Sequence, residues 1–282
     1  MLTFALCARK LKKQRQRRTN AYRLRPSLED LESRVVLYTA SGNAWPSPQL
    51  ITISFMPDGT NVLGYSSNLM STFNRQFGST STWENLILQA AQLWAQNTNI
   101  NFAVVPDNGS PEGSGNYQQG DPGFGDIRIG GYSFGTALGE AFMPPPVNNF
   151  SAAGDIFFNT AQTFRSNGSA FDLITVAAHE IGHALGLYHS SIASAVMYGC
   201  YNGTKRALTS DDIAGIQSIY GGARQQDQYY GASGNGSMST AYNINSMIDT
   251  TNLTALVTNA DITTVGQQDY YAVTIPAGTN GT

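Results

Sequence analysis

Histidine is nearly missing from this sequence, with three among 282 residues, and charge is thin, with 12% charged residues against 41% hydrophobic. So little charge excludes a self-repelling disordered chain, and so large a polar remainder excludes an apolar membrane protein. No apolar run approaches 18 residues, so no spanning helix is expected. The two cysteines, Cys7 and Cys200, stand far apart in unlike surroundings, which provides no disulfide framework and leaves the compartment open. Basic residues are concentrated at one end: residues 1–34 carry a formal +7 and the other 248 residues carry −10. A body that poor in lysine and arginine offers no phosphate-binding surface, so nucleic acid is not an expected partner. The length predicts one substantial core and something smaller beside it.

Three regions follow from the composition. Residues 1–34 open with an apolar stretch and continue into RKLKKQRQRR, the reverse of the charge-then-apolar order of a secretory signal. They read as a basic, disordered export or sorting segment that supplies no strand. Residues 35–224 read as the main folded unit. Within it LITISF alternates like a half-buried strand, and residues 100–105 and the segments GDIRIGG, TALGEAF and GDIFFN read as four more. Trp83, Leu86, Ile87, Ala90 and Trp94 form one helical stripe. Residues 171–185 predict a second helix. A third starts at Thr209 or Ser210, where T-S-D-D offers a capping box, and stops at Gly221-Gly222. This order predicts an α+β fold, a twisted mixed sheet with three helices. The glycine-rich loop 107–125 reads as solvated, with Asp107, Asp121, Asp126 and Asp155 as candidate calcium ligands. Residues 225–282, rich in Ser, Thr, Asn and Gly, read as a linker and a small β module.

All three histidines fall in AHEIGHALGLYHS, residues 178–190. On a helix, positions i and i+4 differ by about 40° of rotation, so His179 and His183 aim at a common point. Gly186 can adopt the left-handed conformation that ends the helix and returns His189 as a third ligand. Three neutral imidazoles with one open position describe a catalytic zinc rather than a structural one. Glu180 stands about 100° round the helix from His179, where it can reach a water without becoming a ligand, which makes it the candidate general base.

These residues carry a resemblance. His179, Glu180, His183, Gly186 and His189 match the metzincin zinc-protease pattern H-E-x-x-H-x-x-G-x-x-H. Ser190 and the following A-V-M-Y resemble the matrixin branch, which implies that Met197 is the methionine of the turn beneath the zinc ligands. The place where other branches carry a ligating tyrosine is Gly199. LTSDDIAGIQSIYGG is similar to the last matrixin helix, with Asp211 and Asp212 implied to anchor it to that turn. The likeness spans residues 49–222. LGEAF and GDIFF place Glu140 and Phe157 where animal matrixins hold a second zinc with histidines, so one zinc is expected. Asn159 replaces a calcium-binding aspartate, and calcium is left open. The P-R-C-G-x-P-D latency switch is absent, and Cys7 in ALCARK has none of its context. RLRPSLEDLESRVVLY resembles the LEPR-x-LL type of segment on large exported bacterial surface proteins. Residues 225–282 resemble the first half of pre-peptidase C-terminal β-sandwich modules, an incomplete module in this chain.

The resemblance implies a bacterial zinc endopeptidase, secreted or at the cell surface, acting as a monomer on protein or peptide substrates. A substrate is expected to lie extended along the edge strand of residues 136–143. Tyr198 and Tyr201 would belong to the wall of its specificity pocket, with Thr175 near the floor. The basic segment is expected to be dispensable for catalysis. A competing reading is an inactive metzincin-fold surface adhesion or scaffold protein, against which the intact Glu180 argues. A third is a protease of another metzincin branch.

Overall fold

β-Branched and aromatic residues with alternating polar partners build the sheet, whose positions in the computed structural model are described for residues 2–6, 40–147, 151–252, 254–258, 260 and 267–274. The strands are β1 Leu2–Leu6, β2 Ile51–Phe55, β3 Asn61–Val62, β4 Tyr65–Ser66, β5 Phe102–Val104 and β6 Ile127–Tyr132. They continue as β7 Gly139–Ala141, β8 Ile156–Asn159, β9 Phe164–Arg165, β10 Phe171–Asp172 and β11 Cys200–Tyr201. Seven form one sheet in the order β11-β1-β7-β8-β6-β2-β5. β5, β2, β6 and β8 are mutually parallel, whereas β7 runs antiparallel to β8.

One face of this mixed sheet carries Ile51, Ile53, Phe55, Ile127, Ile129, Ile156 and Phe158 into the main core. Four helices appear among the described residues, one more than the sequence predicts: α1 Leu69–Phe77, α2 Thr80–Ala95, α3 Leu173–Ala184 and α4 Ser210–Tyr220. The sequence reading passed over α1, although Leu69, Met70, Phe73 and Phe77 share one face of it; Leu69, Thr72 and Phe73 are buried. Phe73 meets Trp83, Phe158 and Phe164 in an aromatic cluster. α2 presents the expected stripe, with Trp83, Ile87, Ala90 and Trp94 buried, and the Trp94 indole donates to the Ala178 carbonyl of α3 at 2.9 Å. Truncating such an aromatic anchor costs about 3–5 kcal/mol. α3 is buried on every side, as its run of Leu, Ile, Val and Ala requires.

Part of the opposite face of the sheet, around Arg128, is covered by loop 107–125, and another part by the cluster of Met56, Val62, Tyr132 and Phe157. Arg128 of β6 is fully buried there and pairs with Asp107 at 2.7 Å, while Ser54 of β2 donates to the same carboxylate. Asp126 accepts both the backbone N–H and the hydroxyl of Thr52. These carboxylates therefore bind the loop to the polar face of β2 and β6. The burial of Ser54 departs from the half-buried pattern expected of LITISF for this reason.

Two expectations are corrected at the chain's ends. Residues 2–6, read as part of a structureless segment, form β1, antiparallel to β7 and parallel to β11; residues 7–34 lie outside the described residues. Cys200 is disulfide-bonded, although the spacing of the two cysteines suggested no bridge. Beyond α4, Tyr229 is buried against Tyr242 and Tyr271. Tyr242–Asn243 pairs with Tyr271–Ala272, and Ile248–Asp249 pairs with Thr254–Ala255. Two two-stranded pairs are thus what the described part of residues 225–282 contains.

Candidate metal centre

α3 begins at Asp172, whose carboxylate accepts the Thr175 N–H at 2.9 Å and the Thr175 hydroxyl at 2.7 Å as an N-cap and also pairs with Arg206. The helix ends at Gly186, with φ +107°. A Cβ at that position would lie 2.4 Å from the Asn43 carbonyl oxygen, so glycine is demanded twice, by conformation and by space. Between these ends His179 and His183 face inward from one side of the helix, and the reversal after Gly186 brings His189 back to them. Ring centroids stand 4.7 Å apart for His179 and His183, 5.2 Å for His179 and His189, and 4.8 Å for His183 and His189.

The three ligand nitrogens lie within 4.8 Å of one another and form the one such cluster among the described residues. Nδ1 of His179 is bonded to the Val196 carbonyl at 2.7 Å, and Nδ1 of His183 to the Leu187 carbonyl at 2.6 Å. A carbonyl can only accept, so each Nδ1 carries the proton and each Nε2 presents its lone pair inward. Nε2 of His189 is buried without a partner. Burial, joined by the neighbouring His183, holds His179 well below its ordinary pKa; burial pushes His183 down to about 3 and lowers His189 as well. Neutral imidazoles with converging lone pairs fit a zinc ion.

Met197 packs on α3 at Gly182, the residue before His183. Its Sδ would be 2.3 Å from a Cβ placed on Gly182, so the methionine packs against bare backbone of α3. Asp212 and Asp211 tie α4 to this region as the resemblance implied: Asp212 accepts the backbone N–H groups of Val196 and Met197, and Asp211 accepts the Ser190 hydroxyl. Glu180 points toward β7, with both oxygens buried and unpaired. Burial first, and the charge of Glu140 second, raise its pKa well above the usual glutamate value. Glycine at 139 is what admits it, since a Cβ there would lie 2.7 Å from Glu180 Oε1.

The residues expected from the sequence to line a substrate pocket have these neighbours. Tyr201 accepts the Asp172 N–H on its hydroxyl and meets Phe171 edge-on at 5.2 Å. Tyr198 lies under Lys205 Nζ at 5.2 Å. Thr175 is fully buried, and its hydroxyl also accepts the Lys205 N–H. Asp172, Gly139, Lys205 and Phe4 were not singled out from the sequence; the Asp before a helical pattern is a capping signal that could have exposed the first. Gly199 touches the His189 ring, with a notional Cβ 3.0 Å from Nδ1.

Where animal matrixins hold a second zinc, Glu140 and Phe157 are cross-strand partners, and the Tyr132 hydroxyl donates to Glu140 at 2.6 Å. The Asn159 amide donates to the carbonyls of Phe134 and Ala137, so a side-chain nitrogen satisfies oxygens of the kind that calcium binds.

Comparison with known proteins agrees with this geometry. The profile of the matrixin family matches residues 66–221. The chain is 38% identical to karilysin of Tannerella forsythia over 143 residues, which is 51% of this chain and 29% of that protein. It is 35% identical to matrilysin of Rattus norvegicus over 142 residues, 49% of this chain and 50% of that protein. To the hatching enzyme of Paracentrotus lividus it is 35% identical over 181 residues, 59% of this chain and 28% of the relative. The chain thus spans half or less of the length of these relatives. The matched stretch contains α3, the three imidazoles, the methionine turn and α4, and the chain belongs to the matrixin family.

Proposed function

We propose that the chain is a zinc-dependent endopeptidase that hydrolyses peptide bonds of proteins, secreted or at the cell surface. The observation that carries this reading is the convergence of three tautomer-fixed imidazoles beside the unpaired carboxylate of Glu180. Zinc bound there supplies Lewis acidity toward the scissile carbonyl and the attacking water. Glu180, ionised, takes the proton of that water as it adds to the carbonyl carbon, then delivers it to the leaving amine nitrogen as the C–N bond breaks. Its burial beside Gly139 places the carboxylate against β7.

An extended substrate would pair with β7, so that main-chain hydrogen bonds hold it with little sequence demand. Selectivity then rests on the pocket beside Tyr201 and Tyr198, with Thr175 toward its base. An apolar side chain suits such walls, whereas a carboxylate would lose its hydration there. Cleavage before Leu, Met, Phe or Tyr is expected.

Mass-spectrometric mapping of cuts in a denatured protein digest tests the specificity. A dominant preference for acidic residues after the cut bond would remove Tyr198, Tyr201 and Thr175 from the pocket. For the chemistry, Glu180→Ala should retain zinc and lose about 10²–10⁴-fold in turnover; near-normal turnover would exclude Glu180 as the base.

A further inference from the structure

We propose that Lys205 is a positioning residue of the metal centre, its ammonium clamping the turn 195–198 so that the Val196 carbonyl stays where His179 bonds to it. The inference rests on the zinc-site reading and draws nothing from the hydrolytic one.

Two successive peptide units of the turn connect a pair of opposite charges to a metal ligand. In the first unit, the Ala195 carbonyl accepts from Lys205 Nζ at 2.6 Å and the Val196 N–H donates to Asp212 at 2.9 Å. A cation on the oxygen and a carboxylate on the N–H grip this peptide along its own dipole, with a charge-assisted bond at each end. In the second unit, the Met197 N–H donates to Asp212 at 3.0 Å, and the Val196 carbonyl is bonded to His179 Nδ1 at 2.7 Å. Asp212 thus holds both units by their N–H groups, whereas Lys205 holds the first by its oxygen. Among the described residues that oxygen has one other donor, the Tyr198 N–H, at the longer distance of 3.3 Å. Without the ammonium the first unit can tilt about its Asp212 bond, and the Val196 carbonyl tilts with it. Ala195 and Val196 are fully buried, so an oxygen deprived of its donor there is costly.

Lys205 is itself fixed at both ends. Its backbone N–H donates at 2.8 Å to the hydroxyl of Thr175, which is fully buried on α3 one helical turn before His179. Its ammonium lies over the Tyr198 ring, 5.2 Å from the centroid, so it touches the first and the last residue of the turn. Burial lowers the Lys205 pKa, and the charge of Asp212 opposes that fall. One side chain therefore spans from the helix that carries His179 to the turn on which the His179 ring is hung. Two neighbours serve as internal controls. His183 Nδ1 is bonded to the Leu187 carbonyl, outside the turn. Arg206, the next residue along, ties the same loop to Asp172 and to the Ser166 carbonyl.

The test compares the full zinc-loaded chain with Lys205→Met, which keeps the apolar stem and removes the donor, and with Arg206→Met. Circular dichroism verifies folding, and Lys205→Gln, shorter and uncharged, replaces the methionine variant should that one not fold. In a chelator competition Lys205→Met should bind zinc about tenfold more weakly, the loss typical of a group that orients a ligand, while Arg206→Met should match the parent. Nitrogen-15 labelling of the three histidines then reads their ring N–H protons by NMR. The His179 Nδ1–H signal should move in Lys205→Met and the His183 signal should stay. Unchanged zinc affinity in Lys205→Met overturns the inference, whether or not the His179 signal moves. Equal weakening in Arg206→Met also overturns it, by showing a general loosening of the loop. So does weaker zinc binding with an unmoved His179 signal. None of these readouts needs hydrolysis, so a chain that meets them yet cuts no peptide keeps Lys205 in its role and removes the protease reading.

Discussion

Asp212 accepts the Met197 N–H at 3.0 Å through one carboxylate oxygen and the Val196 N–H at 2.9 Å through the other. The Val196 carbonyl in turn accepts from His179 Nδ1, so a single peptide unit joins the first turn of α4 to a metal ligand. Asp212 also closes the capping box of α4 with Thr209. Asp212→Ala should therefore do two things at once. The loss of buried hydrogen bonds should cost about 1–3 kcal/mol of stability, read as a fall in Tm. The loosened His179 should weaken zinc binding by about 10–100-fold in a chelator competition.

Gly182→Ala tests whether Met197 is packed as closely as its geometry states. The added methyl would meet Met197 Sδ at 2.3 Å and Trp94 Cζ2 at 2.9 Å. Overpacking of this kind costs about 1–3 kcal/mol, so denaturant unfolding should show that loss. Gly222→Ala, where a Cβ meets nothing within 4 Å, is the control expected to change little.

Metal content follows from the donor set. Elemental analysis should find one zinc per chain, since the imidazole trio is the one cluster of its kind among the described residues. His183→Ala should strip the metal, because two imidazoles make a weak site. Two tightly held zinc ions would show that Glu140 and its surroundings do more than accept from Tyr132.

Acid stability should respond to Asp107. Burial works to raise its pKa, but hydrogen bonds from Arg128, Ser54 and the Gly109 N–H, with the Arg128 charge, outweigh burial and hold it below the ordinary value. A carboxyl whose folded pKa is depressed contributes stability that is present above its unfolded pKa of about 3.9 and is lost as pH falls through the lower, folded value. Asp107→Ala should remove that acid dependence and cost about 3–5 kcal/mol at neutral pH, because Arg128 is left buried and unpaired. A pH series of thermal unfolding on both proteins measures each effect.

By itself the sequence determined the metal centre, because its geometry is local. The i, i+4 spacing of His179 and His183 belongs to any helix, and Gly186 supplies the reversal that returns His189 within six residues. The caps at Thr209 and Gly221 were legible for the same reason. Only the tertiary structure decided the rest. α1 was legible in the helical spacing of Leu69, Met70, Phe73 and Phe77 and was passed over, but its packing of Phe73 against Trp83 and Phe164 is tertiary. Loop 107–125 reads as solvent-facing until Arg128, whose partner Asp107 is 21 residues away, is seen to need it. Leu2–Leu6 has no strand identity until the edges of β7 and β11 flank it, more than 130 residues along the chain. Helix geometry is set by neighbours within a turn, whereas strand pairing and buried charge depend on partners that only folding brings together.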